Sequence, residues 1–121
     1  ITTNDTATPY PWFWCPIFMD DGVTIDQIGA KWYDGSTTSG VYIKLYLYEQ
    51  DINCTPSCGA ADLIVTFDSE NYDATANPDY DSQNFDELTV DNDEQVYFIL
   101  GTMAAILNSE PRLYSISLID N

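Results

Sequence analysis

The chain has 121 residues, a hydrophobic fraction of 45%, and 20 Asp and Glu against three cations, Lys31, Lys44 and Arg112; with no His its formal net charge is −17. Nucleic-acid binding draws its free energy from cations that neutralise phosphates, so this balance excludes DNA and RNA as partners and disfavours an anionic membrane surface. An aromatic fraction of 14% separates the chain from disordered acidic tails and predicts one folded domain.

The pattern changes sharply along the chain. Residues 1–11 are polar, unpatterned and punctuated by Pro9 and Pro11, and read as an extended arm; residues 12–121 read as a single domain. Trp12 to Met19 form an aromatic run too short for a stable helix, and Pro16 within it predicts an edge strand. Trp12 and Trp14, at i and i+2, share a face, where they either pack into a core or interface or stack on a sugar ring. Asp20-Asp21-Gly22 turns the chain. Val23 and Ile25 then alternate out of phase with Ile28, Ala30 and Trp32. One extra residue near Asp26-Gln27, a β-bulge, accounts for the change of parity. Residues 34–40 are a loop.

Residues 41–48 carry the clearest strand pattern. Val41, Ile43, Leu45 and Leu47 share one face; Tyr42, Lys44, Tyr46 and Tyr48 share the other. The Tyr face is either a contact surface or lies beneath the acidic stretch 68–87, which reads as a long loop pinned by Tyr72, Tyr80 and Phe85 or as one that holds a short irregular strand. Leu63, Val65 and Phe67 are assigned to one strand face. Residues 88–90 form a short strand, and Val96, Phe98 and Leu100 oppose Tyr97 and Ile99. Residues 102–109 hold the one helical turn that composition favours. In the last strand Tyr114, Ile116 and Leu118 are expected to point inward. About six to eight strands at this spacing predict an all-β antiparallel sandwich, jelly-roll-like, with at most one short helical turn.

Cys54 and Cys58 flank a turn at Pro56 and are expected to form a disulfide, which implies an oxidising compartment. Cys15 is left as a buried thiol or an intermolecular partner. The chain shows no apolar run of about 18 residues, hence no membrane insertion by a helix, and lacks an initiating Met. It reads as a mature extracellular or cell-surface form after removal of a leader. Asn4, in Asn4-Asp5-Thr6, is the better glycosylation sequon.

Without His, neither a Ser-His-Asp nor a Cys-His arrangement exists within the chain. Paired carboxylates carry no specificity among so many acids, so no catalytic site and no enzyme is expected. Calcium is the candidate cofactor, because loops rich in Asp and Asn supply oxygens to hard cations. Two groups qualify: Asp91, Asp93 and Glu94, and Asp79, Asp81 and Asp86. Asp also favours turns for backbone reasons alone.

The order of segments resembles a class of extracellular bacterial and archaeal β-sandwich surface domains. The resemblance lies in residues 16–25 (an apolar segment, an acidic turn and a Gly-led strand), Ile43 to Tyr46, residues 90–93, Val96 to Phe98, and Leu113 to Ile116. It implies the fold and an exterior location and transfers no site. The leading functional expectation is a structural subunit of a surface filament, pilus-like fibre or sheath, a homopolymer joined through strand and aromatic contacts. The alternative is a secreted carbohydrate-binding or adhesive module, calcium-dependent or not, with a glycan partner.

Overall fold

The computed structural model describes residues 8–9, 12–33, 41–54, 57–72, 78–105 and 111–121. Asn4 lies outside them. The described residues form β1 (Thr8–Pro9), β2 (Phe13–Ile17), β3 (Thr24–Tyr33), β4 (Tyr42–Asp51), β5 (Asp62–Asp68), β6 (Asp79–Thr89), β7 (Gln95–Ala105) and β8 (Arg112–Ile119). All pair antiparallel. In the first sheet β1 and β2 lie end to end along one side of β7, followed by β4 and β5. In the second, β3 sits between β6 and β8. The sheets pack face to face as a sandwich over Ile28, Ala30 and Trp32 from β3 and Ile43, Leu45, Leu47, Phe67 and Ile99 from the first sheet. Period 2 produces this directly: the alternate residues of β4 are fully buried and the Tyr side faces outward.

The bulge expected at Asp26-Gln27 is present, where pairing with β6 shifts between Ile25 and Gln27. Two further bulges correct the reading of faces. The β4–β5 register shifts between Leu47 and Tyr48, which pair with Val65 and Leu63; Ile64 is the extra residue. Leu63 therefore leaves the face of Val65 and Phe67 and is exposed. The β3–β8 register shifts between Lys31 and Trp32, which pair with Ser115 and Leu113. Tyr114 is the extra residue and is exposed, while Leu113 takes the inward place beside Ile116 and Leu118.

Two segments differ in kind from expectation. The acidic stretch is not one long loop: residues 69–71 form a 3₁₀ turn and Asp79–Thr89 is β6. Its alternation is hidden because polar side chains on it find partners. Asp81 accepts from the Trp32 indole N–H at 2.9 Å, and Gln83 Oε1 accepts from Tyr72 Oη at 3.3 Å. The helical turn at 102–109 is also absent from the described part, because Thr102 to Ala105 continue β7. Pairing with β4 on one side and β1 and β2 on the other outweighs the weak helix preference of Met and Ala. The 3₁₀ turn is fixed elsewhere: Asp68 caps it, and the fully buried Ser69 accepts the Ile43 N–H at 2.8 Å.

Cys54 and Cys58 form the expected disulfide, with Cα atoms 5.0 Å apart in the β4–β5 connection. Closing so short a loop contributes about 2 kcal/mol. Replacing both by Ser should lower the urea-unfolding free energy by that amount, and reductant should reproduce the loss in the native sequence and leave the variant unaffected. Cys15 is a free thiol, half-buried. No helix among the described residues is long and apolar enough to cross a membrane.

Candidate binding face

Sequence patterning brings the two aromatic groups onto one surface. Trp14 pairs with Leu100, and Leu100 with Tyr46; Pro16 pairs with Phe98, and Phe98 with Tyr48. Directly opposed residues share a face in an antiparallel sheet, so Trp12, Trp14, Phe98, Leu100, Tyr46 and Tyr48 all stand on the outer side of the first sheet. Trp12 meets Tyr46 at 5.6 Å between ring centroids, Trp14 meets Phe98 at 6.1 Å, and Phe98 stacks on Tyr48 at 5.4 Å. Leu63 extends the row beside Tyr48. At the far side Lys44 lies 4.5 Å over the Tyr42 ring and within 3.7 Å of Asp68. The acidic strand β6 belongs to the opposite sheet and does not cover these tyrosines.

Exposure excludes the core as the place of the two tryptophans and leaves an interface or a sugar-stacking surface. Trp12 is 60% and Trp14 61% exposed, and neighbouring Phe18 is 92% exposed. Aromatic surface of this extent on a protein that otherwise carries dense charge marks a contact site. The face ends in a shallow hollow of about 450 Å³, walled by Trp14, Phe18, Val96 and Phe98 and floored partly by Asn92 and Gln95. The Gln95 amide nitrogen donates to Asp51, which fixes the orientation of the amide. Its Oε1 is then left buried without a hydrogen-bond partner among the described residues. The side chain stands on the inward side of β7 with Tyr97 and Ile99, so this acceptor belongs to the end of the core and not to the aromatic outer face.

The acids proposed as metal ligands are placed differently. Asp91 Oδ1 accepts the backbone N–H groups of Asp93 at 3.1 Å and Glu94 at 3.2 Å, and Asn92 N–H donates to Asp21 at 2.8 Å. These contacts build the β6–β7 turn. Asp79, Asp81 and Asp86 are spread along β6, and among the described residues no three Asp, Glu or Cys side chains converge as a metal group.

Two carboxyls are shifted. Burial raises Asp81 above the usual range despite the Trp32 hydrogen bond that lowers it, and Asp79 adds repulsion. Burial also raises Glu49, with Asp62 and Asp51 adding to it. A carboxyl raised in the folded state holds a proton that the unfolded state has released. Its contribution is fully present below the ordinary carboxyl range, about 4, and is lost as pH rises through the raised value. The melting temperature should therefore be higher at pH 4 than at pH 8. Asp81→Asn should flatten that dependence and keep an oxygen for Trp32. Asp81→Ala should cost about 1–3 kcal/mol at any pH, because it strands the indole N–H. Thermal melts of the three proteins across pH 4–8 check this.

No family model matches this sequence, and no curated protein or solved structure is significantly similar to it.

Proposed function

We propose that this domain is a non-catalytic, extracellular binding module that holds a carbohydrate against the aromatic outer face of its first sheet. The observation that carries the reading is the exposed aromatic row of that face, in which Trp12 meets Tyr46, Trp14 meets Phe98 and Phe98 stacks on Tyr48, ending in a hollow lined by Trp14, Phe18 and Asn92. Small-ligand sites combine apolar and aromatic walls with a few placed polar groups. The C–H faces of a sugar pack on such rings, and Asn92 is a polar group among the lining residues. The disulfide is compatible with an oxidising exterior. A charge of −17 favours neutral or amino-bearing glycans over acidic ones.

A structural subunit joined by strand contacts would add its N-terminal arm to the sheet of a neighbour. Thr8–Pro9 at the end of that arm pairs with Ala105 and Ala104 of its own β7, so donating the arm to a neighbour requires those contacts to be released. The aromatic face favours the binding reading. The test is titration of neutral, amino and acidic polysaccharides, followed by tryptophan fluorescence and calorimetry. A saturable response to a neutral or amino glycan is expected. A flat response across all three classes would overturn the proposal.

A further inference from the structure

The lateral edges of the two sheets are not equally protected. Unpaired strand edges attract other strands, and proteins blunt them with charge, proline or brevity. β2 has five residues and contains Pro16. β5 begins and ends in Asp62 and Asp68. β6 carries Asp79, Asp81, Asp86 and Glu87 along its length. β8 is the least protected: it begins with Arg112, but from Leu113 to Ile119 it holds no charge, no Pro and no Gly. No described strand pairs with its outer edge. Its bulge at Tyr114 lies near one end and leaves Ser115 to Ile119 in regular register. Beneath this edge the seam between the sheets is open as an apolar groove of about 580 Å³, lined by Cys15, Ile17 and Met19 from the β2 side and by Leu113, Ile116 and Leu118.

The geometry points to a second copy of this chain as the occupant, joined β8 to β8 about a two-fold axis. Antiparallel pairing centred on Ser117 sets Ser115 opposite Ile119 and Ile116 opposite Leu118. Each pair lies on the same face, because Ile116 and Leu118 both turn toward the core. The second sheets then join into one, and the open seams of the two copies meet around a shared apolar interior. The ends of β8 are complementary: Arg112, one of three cations in the chain, comes to the Asp120 end of the second copy, and the reverse. The interface is thus isologous. The acidic β6 strands stay at the outer edges, five strand spacings apart or about 24 Å. That exceeds the screening length of about 8 Å at physiological salt, so the net charge does not forbid the contact. This contact does not depend on the glycan face, which lies on the first sheet.

Sedimentation equilibrium of the full chain at 20 and 500 mM NaCl tests the pairing. A dimer is expected that tightens with salt as self-repulsion is screened. Arg112→Asp and Asp120→Arg should each weaken it by about tenfold, and the double swap should restore most of the loss, as for close interfacial charge pairs. Ser115→Lys, at an exposed outward position, should dissociate the dimer with the circular dichroism spectrum unchanged, which guards against misfolded swap variants. A monomer at every concentration and salt would overturn the inference. So would a dimer indifferent to all four variants, or one lost on Trp14→Ala instead.

Discussion

Replacing Trp12 and Trp14 together by Ala is expected to weaken glycan binding by thirtyfold or more while leaving the fold intact. Central aromatic anchors at contact sites each cost about 2 kcal/mol or more when truncated, and about 1.4 kcal/mol is a factor of ten. Both indoles are mostly exposed, so little burial is lost from the folded state. What the fold loses is the pair with Tyr46 and the pair with Phe98, each worth about 1 kcal/mol. The measurement is a calorimetric titration beside a urea melt. Loss of binding with a small shift in midpoint places the site on this face. Unchanged binding with both indoles gone removes the site from it.

The second large effect is expected at a residue with no side chain. Gly101 faces inward on β7, opposite Phe13 of β2 and Leu45 of β4. The Phe13 ring lies across it, occupying the place a Cβ would take. Gly101→Ala forces the ring away, and overpacking of this kind costs about 1–3 kcal/mol. The consequence reaches function, because Phe13 is the inward anchor between Trp12 and Trp14. Displacing it loosens β2 and with it half of the aromatic face, so Gly101→Ala should lower stability and glycan affinity together. Adding Phe13→Leu, which shortens the ring to a branched chain, should recover part of both. Such coupling between touching residues is what a double-mutant cycle detects. A Gly101→Ala protein that melts and binds like the original would refute this account. Gly29 shows the same arrangement on the second sheet, where Tyr80 crosses the strand to reach Ser117 Oγ at 2.9 Å.

Much of the architecture was legible because it depends on local rules. Period-2 alternation in residues 41–48 placed β4 and its faces correctly, since a strand's side chains have no other choice. The break in parity after Ile25 located a bulge for the same reason. Cys54 and Cys58 met as expected, because a sequence separation of 4 keeps the two thiols close. In β6 the rule failed, because Asp81 obtains a partner in Trp32, far away in sequence, and Gln83 one in Tyr72, across the preceding turn. Nothing local distinguishes such polar residues from those of a loop.

The amino-acid sequence by itself determined the strands with clear alternation, the acidity, the disulfide and the lack of a histidine-based catalytic site, because these follow from composition and from the stereochemistry of the extended chain. The tertiary structure alone decided which aromatic residues stand together. Whether Trp12 and Trp14 belong to core or surface depends on which side of β7 receives β2. Whether the tyrosines of β4 are covered depends on the sheet that β6 joins. Whether Leu63 and Tyr114 point in or out depends on bulges created by pairing with a partner strand. These are choices between sheets and registers of nearly equal local energy. They are settled only when the whole core closes over Trp32 and Phe67.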